Sequence, residues 1–408
     1  MSYAGTREIL DADSHVMELP DFLDEFLEPD VARRLRRETL EAAQPVVDEA
    51  VERARARRAD PDHSANAEER LLLDKGWLAL GAFDARERSR VLDLLGFRSQ
   101  LVFATFASAM FLGHDLDRLY GGSRAQNLAM TRFCAGDERL LPVAFAPLTD
   151  PDRAVAVARD AVESGCPAVM VPSTAAGERA PTHPSLDPFW DLLSEANVPF
   201  VLHVGGGGRL LDPAFHNNDM PVTDHLGGGE NVRSKDFLAI PNSPALFLGV
   251  LILDGLFDRF PKLRGGCIEQ GAGWVVSWMR HLDHAQRAFK RTEPPLQRLA
   301  LRPSEYVRRH LKFTPFPGEP VGWMIEQAGP ELFMFSSDYP HPEGGRDPLA
   351  KFEEVLTTAS EADQARFYAR NMAELLTGDP DARPPGRGQV AAGEQYAGVE
   401  GGNGVGQS

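Results

Sequence analysis

The sequence predicts an α/β protein folded as a (β/α)8 barrel, and three observations carry that prediction. Eight short apolar runs recur along the 408 residues, most are rich in β-branched or aromatic residues, and helical patterns separate most of them. An open doubly wound sheet is the other arrangement that the alternation allows.

The runs are REILDADSH (7–15), SQLVFAT (99–105), LPVAFAPL (141–148), PAVMVPS (167–173), PFVLHVG (199–205), RGGCIEQ (264–270), HLKFTPF (310–316) and ELFMFSS (331–337). They are near-continuously apolar with little alternation, as strands buried on both faces of a parallel sheet are. Between them DPDRAVAVARDAVESG, DPFWDLLSEAN, SPALFLGVLILDGLFDRFP and PVGWMIEQAG carry the helical period. Several of these open on Asp or Ser and stop at Gly or Asn, the residues that cap helices. Residues 1–377 therefore read as one barrel domain. Two segments interrupt its rhythm: the charged stretch 20–90, expected as a helical insertion after the first strand, and the glycine-rich 205–235, expected as a mobile loop after the fifth. Loops that follow barrel strands lie at the catalytic face, so both are candidates for a lid. Basic and acidic residues are interleaved in 20–90, which favours a solvated helical surface. From Gly378 to Ser408 the chain is rich in Gly and poor in large apolar residues, and is expected to be a disordered tail.

A net charge of −17 argues against a general affinity for nucleic acid or anionic membranes. The longest oily run, 244–257, carries Asp254 and is shorter than a bilayer span, so a buried helix is expected there. Cys134, Cys166 and Cys267 lack any CxxC spacing and read as buried thiols. With no secretory leader pattern in MSYAGTREILDADSH, the expectation is a cytoplasmic protein that acts on a small molecule.

The chemistry gathers where the runs end. Run one finishes on Asp13 and His15, run five on His203, run six on Glu269 and run eight on Asp338. In a parallel barrel these ends converge on one rim. Asp13 and His15, two apart, share a side of their strand. A lone strand histidine is commonly a hydrogen-bonded core residue and a lone Asp a helix cap. Recurrence in order at the same end of successive strands points instead to an N/O ligand set of Asp13, His15, His203 and Asp338 for one divalent ion, zinc ahead of manganese or iron. His341, in a Pro-flanked turn, either meets the substrate or fixes the loop. Glu18 and Arg280 are placed at the substrate; Glu18 otherwise supports the ligands from behind or is an exposed acid, and Arg280 otherwise stacks on an indole.

The stretches LDADSHVMELP, FVLHVGG, LFDRFPKLRGGCIEQGAGWVVSWMRHLD, FMFSSDYPHPEG and NMAELL resemble the amidohydrolase superfamily. More narrowly they resemble the amidohydrolase 2 family, the branch related to 2-amino-3-carboxymuconate-6-semialdehyde decarboxylase. The resemblance spans about 7–376 and implies a distorted (β/α)8 (TIM) barrel with one divalent metal at its rim. It puts Asp13 where many relatives carry the first His of an H-x-H pair, His15 at the second, His203 after strand five and Asp338 after strand eight. Resorcylate decarboxylases also have a carboxylate in the first position. Strand six departs from the pattern: the decarboxylases commonly place a histidine there, and this chain has Glu269. Glu269 is expected to bind a substrate group, shuttle a proton or add a metal ligand. With a carboxylate in place of that imidazole, hydrolysis of a small cyclic or amide-like substrate by metal-activated water comes first, with Asp338 taking the water's proton. Non-oxidative decarboxylation of an aromatic or unsaturated acid is the alternative. The resemblance also favours a homodimer.

Overall fold

The computed structural model describes residues 2–41, 43–206, 208–220 and 233–384. Most of the expected tail (385–408) and much of the 205–235 loop (207 and 221–232) lie outside the described residues.

Seven of the eight runs form strands: β1 Leu10–Val16, β2 Ser99–Ala104, β3 Leu140–Phe145, β4 Ala168–Met170, β5 Phe200–His203, β6 Gly265–Ile268 and β7 Leu311–Phe313. They make one parallel sheet in sequential order, β1 to β7. The eighth run differs from expectation. It forms no regular strand, yet touches both edges of the sheet: Phe313 N donates to Leu332 O and Met334 N to Phe313 O, while Ala12 N donates to Phe335 O and His15 N to Tyr339 O. Two of its amides are drawn elsewhere. Phe335 N donates to Phe367 O (2.8 Å) and Ser337 N to Asp11 Oδ1 (2.8 Å), so the ladder a strand needs is not available.

The longer helices are α1 Gln44–Ala59, α2 Pro61–Glu69, α3 Ala85–Leu95, α4 Leu116–Phe133, α5 Pro151–Glu163, α6 Asp187–Glu195, α7 Asn242–Leu253, α8 Gly273–Phe289, α9 Pro303–His310, α10 Val321–Ala328, α11 Pro348–Val355 and α12 Asn371–Thr377. Local chemistry starts and stops them. Asp150 caps α5 through Arg153 N with Pro151 just inside, and α3 stops at Gly96, whose φ of 74° suits glycine. α1 to α3 fill the β1–β2 connection, and their mixed charges pair with one another, as in the largely buried, forked Arg57–Glu87 contact at 2.8 Å. In the oily 244–257 segment, α7 turns Phe247, Leu248, Leu251 and Ile252 into the core and leaves Leu246 exposed. Ser234–Leu253 is long and apolar enough, by length and composition alone, to cross a membrane.

Two layers of apolar packing follow. Leu10, Ala12, Leu101, Leu141, Val143, Ala168, Val201, Ile268 and Met334 fill the barrel interior together with Met372, Ala373, Leu375 and Leu376 of α12. Leu10, Ala168 and Gly265 begin their strands, so α12 plugs the N-terminal end and leaves the C-terminal end open. The second layer packs helices on the outside of the sheet. Asn371, wholly buried at the start of α12, donates to Pro330 O (2.6 Å) and Phe333 O (2.7 Å), tying the plug to the irregular eighth segment. Asn371→Ala leaves both carbonyls without a donor and is expected to cost about 2–4 kcal/mol, read as a lowered urea midpoint.

Candidate metal centre

A register shift between Asp11 and Ser14 where β1 pairs with β2 decides what the site contains. Leu10 and Ala12 face the barrel interior, and strict alternation would send Val16 inward too. Val16 instead belongs to the outer layer with Ile9. The bulge therefore reverses the parity of the strand, and it is this reversal that aims Asp13 and His15 into the barrel mouth. Asp11, before the bulge, accepts from Gln100 Nε2 (2.7 Å) and Ser337 Oγ (2.6 Å) and locks β1 to its two neighbours. Burial pushes its carboxyl up to about 7.

Asp13, His15, His203 and Glu269 present ligand atoms within 4.8 Å of one another, and so do His15, Asp338 and His341. The structure thus brings together the four expected ligands with Glu269 and His341. His15 Nε2 lies 3.3 Å from Asp13 Oδ1 and 3.6 Å from Asp338 Oδ1. His203 Nε2 lies 3.4 Å from both Asp13 Oδ1 and Glu269 Oε2. Asp13 Oδ2, both Asp338 carboxylate oxygens and His15 Nε2 are buried without a hydrogen bond of acceptable geometry.

The partners of the other ring nitrogens test whether a cation fits. Thr105 Oγ1 donates to Val16 O at 2.8 Å. Its lone pairs then accept from His15 Nδ1 (3.3 Å) and His341 Nε2 (3.0 Å). His203 Nδ1 donates to Val204 O at 3.1 Å. Both His15 and His203 are thereby held with Nδ1 protonated, so their Nε2 lone pairs face carboxylate oxygens. Lone pairs facing carboxylates repel unless a proton or a metal ion lies between them. The orphaned oxygens and the two lone pairs fit one divalent ion.

The electrostatics agree. Burial raises Asp13, but the charge and hydrogen bonds of His203 and His15 outweigh it and hold its carboxyl well below the usual range. Burial and the neighbouring His341 drive His15 down to about 3, which keeps it a neutral ligand. Burial lowers His203, but the charge and hydrogen bond of Asp13, together with the Val204 carbonyl, move it up; Asp338 moves up because burial, with the charge of Asp13, outweighs His341.

Glu269 and Asp338 both have φ of 52°, a left-handed backbone uncommon for side chains with a Cβ. Each is held there: Glu269 N donates to Thr314 Oγ1 (2.8 Å) and Asp338 N to Asp13 O (2.9 Å). Gly344 packs against this turn, since a Cβ there would lie 2.1 Å from Ser337 O. His341 stacks on His15 with ring centroids 3.9 Å apart and brings Nδ1 to 3.2 Å from Asp338 Oδ1.

Two residues read from sequence as substrate contacts lie elsewhere. Glu18 is fully buried and accepts from the amides of Thr105, Phe106 and Ala107 at 2.8, 2.9 and 3.2 Å; it builds the turn that carries Thr105. Arg280 is exposed on α8, 3.4 Å from Gln327 Oε1. The residues missed from sequence are Thr105 and Gly344. Thr105 ends the SQLVFAT run, at the same rim as the ligands, which is the one signal that marks it.

A cavity of about 800 Å3 opens beside the cluster and is lined by His15, His203 and Glu269 together with Phe103, Phe145, Met170, Phe237 and Phe316. None of its described lining residues is Lys or Arg, and none comes from 20–90, the stretch read as a lid; Gly205, Gly206, Gly208 and Leu210 of the other loop do contribute. A cavity of about 910 Å3 at the opposite end, lined by Glu8, Arg98, Arg139 and Arg370, is remote from this chemistry.

A parallel barrel with paired imidazoles and carboxylates at its C-terminal rim defines a class of metal-dependent barrel enzymes. Within that class the chain belongs to the amidohydrolase family, whose model (Amidohydro_2) matches residues 77–377. The match begins after β1, so Asp13 and His15 stand before it. Gamma-resorcylate decarboxylase from Rhizobium radiobacter is 24% identical over 332 residues, covering 75% of this chain and 94% of that protein. Among solved structures, an amidohydrolase from Mycobacterium avium subsp. paratuberculosis superposes with a TM-score of 0.70 at 21% identity, covering 91% of this chain and 99% of that one. A dihydroxybenzoic acid decarboxylase from Polaromonas, with bound manganese and 2-nitroresorcinol, gives 0.59 at 18% identity, covering 91% and 97%.

Thr105→Val keeps the shape of the side chain and removes the hydroxyl that fixes two imidazoles. Affinity for Mn2+ or Zn2+ is expected to fall about 10–100-fold, measured by calorimetric titration, with the melting temperature of the metal-free protein little changed.

Proposed function

We propose that this protein is a metal-dependent, non-oxidative decarboxylase of an aromatic carboxylic acid. The observation that carries the reading is the make-up of the cavity: aromatic walls, and no Lys or Arg among its described lining residues. An aromatic acid held between those rings finds compensation for its carboxylate only at a cation bound by the Asp13, His15, His203 and Asp338 cluster. The names of the resorcylate and dihydroxybenzoic acid decarboxylases lend support, and the manganese of the latter favours Mn2+ alongside the Zn2+ expected from sequence. Decarboxylation therefore moves ahead of hydrolysis, the order opposite to that drawn from the sequence.

A bound divalent ion would supply Lewis acidity toward the carboxylate and an adjacent phenolic oxygen. The chain's own residues do the rest. The reaction adds a proton to the ring carbon that bears the carboxylate; the C–C bond then breaks, its electron pair restores the aromatic ring, and CO2 leaves. Glu269 lines the cavity beside His203 and is assigned as the group that delivers the proton. His341, held by Thr105 and Asp338, is a positioning residue that fixes the orientation of Asp338. The apolar walls exclude water from the ring, which favours loss of CO2 over attack by water.

Metal-loaded protein is expected to release CO2 from a panel of hydroxybenzoic acids and, in D2O, to leave deuterium on the vacated carbon. Incorporation of ¹⁸O from labelled water into a product, without CO2, restores the hydrolytic reading. Glu269→Gln is expected to lower kcat, normalised to bound metal, by about 10²–10⁴.

A further inference from the structure

The buried face of α4 carries several polar residues, and nearly all are paired. Asn127 donates to Phe145 O (3.1 Å) and accepts from Phe145 N (2.7 Å), clamping α4 to β3. Tyr120 hydroxyl is bonded to Pro147 O and to the backbone of Asp150. Ser123 donates to Leu119 O (2.7 Å) and Thr131 to Asn127 O (2.8 Å). Gln126 stands apart. It is 4% exposed, it lines the cavity, and its Oε1 is enclosed without a hydrogen bond among the described residues.

A side-chain amide in that state is unusual, because buried polar groups are almost always hydrogen-bonded. A leucine would fill the same space at no such cost. The clamp at Asn127, the adjacent residue, fixes the backbone that carries Gln126 at this wall. Leu119, seven residues earlier on the same helix face, and Phe145 of β3 share this wall of the cavity with it. β3 and α4 supply none of the residues of the metal-binding cluster, which come from β1, β5, β6 and the segment after 332.

We infer that Gln126 forms a second polar subsite, which selects an aromatic acid bearing a hydroxyl on the side of the ring away from its carboxylate. The carboxylate end of this assignment rests on the decarboxylase reading; the hydroxyl end does not. A hydroxyl both donates and accepts, so it satisfies whichever amide atom faces the cavity.

Two measurements test the subsite. Wild type is expected to prefer 2,4-dihydroxybenzoate over 2-hydroxybenzoate in kcat/KM, and Gln126→Leu to reduce that preference about tenfold, with metal content unchanged. Independently of turnover, resorcinol is expected to raise the melting temperature of wild type and not that of Gln126→Leu. An equal shift in both proteins, or none in either, overturns the subsite, as does a Gln126→Leu protein that melts well below wild type without ligand, since Gln126 would then be a structural residue. If no acid releases CO2 while the resorcinol shift depends on Gln126, it is the decarboxylase reading that fails and the subsite that stands.

Discussion

Two imidazoles turn Nε2 toward buried carboxylates, and the open end of this barrel is arranged around contacts that only a proton or a metal ion can bridge. Each ring has its outer nitrogen committed, His15 to Thr105 and His203 to the Val204 carbonyl, so neither can turn its N–H inward. Asp13 is completely buried and Asp338 nearly so, so water cannot relieve the charge. A cation between them removes the repulsion and desolvation together. The two carboxyls shift in opposite directions: the charge and hydrogen bonds of His203 and His15 hold Asp13 down, whereas burial outweighs the charge of His341 and holds Asp338 up.

The scaffold spends much of its irregularity on holding this arrangement. Arg88, fully buried on α3, donates to the carbonyls of His15 and Gly81 and lies over the Tyr339 ring at 5.1 Å, so one guanidinium braces β1 and the turn after Asp338 from behind. Gly344 permits that turn to close against the Ser337 carbonyl. The eighth segment forgoes a regular ladder and gives its Ser337 amide to Asp11, below the bulge that orients Asp13. These contacts converge on strand ends, where a barrel tolerates departures from regular geometry at least expense to its core.

That distribution explains what was legible in the sequence. β1 to β7 and the four quoted helices appear where near-continuous apolar runs and helical periods place them, because those patterns arise from burial within each element. The clustering of Asp13, His15, His203 and Asp338 was legible for a related reason, as strand ends of a parallel sheet lie together. The bulge was not: the spacing of Asp13 and His15 says that they share a side, and only pairing with β2 determines which side. Glu18 read as an acid near the substrate because sequence shows its charge and not the three amides that absorb it. Arg280 read as a clamp because a guanidinium can grip a carboxylate through two parallel hydrogen bonds, whereas the helix leaves it exposed. Thr105 and Gln126 carry no charge and no motif, and their roles exist only through partners, or their lack, contributed by distant parts of the chain.

The chain's net charge of −17 makes the cavity's composition more informative than it first looks. An acidic protein that handles an anionic substrate needs a local source of positive potential, and such sites are commonly furnished with arginine. Here the described wall offers aromatic rings, small polar groups and glycines, and the charged groups at its base are carboxylates. Without an ion, an acid entering this cavity would meet like charge at its deepest point. With one, the base of the cavity would attract a carboxylate, and the aromatic walls would orient a flat ring toward it. Under the decarboxylase reading, metal loading and substrate orientation would be a single event, and the apolar lining, which contributes no charge of its own, would give that event its direction.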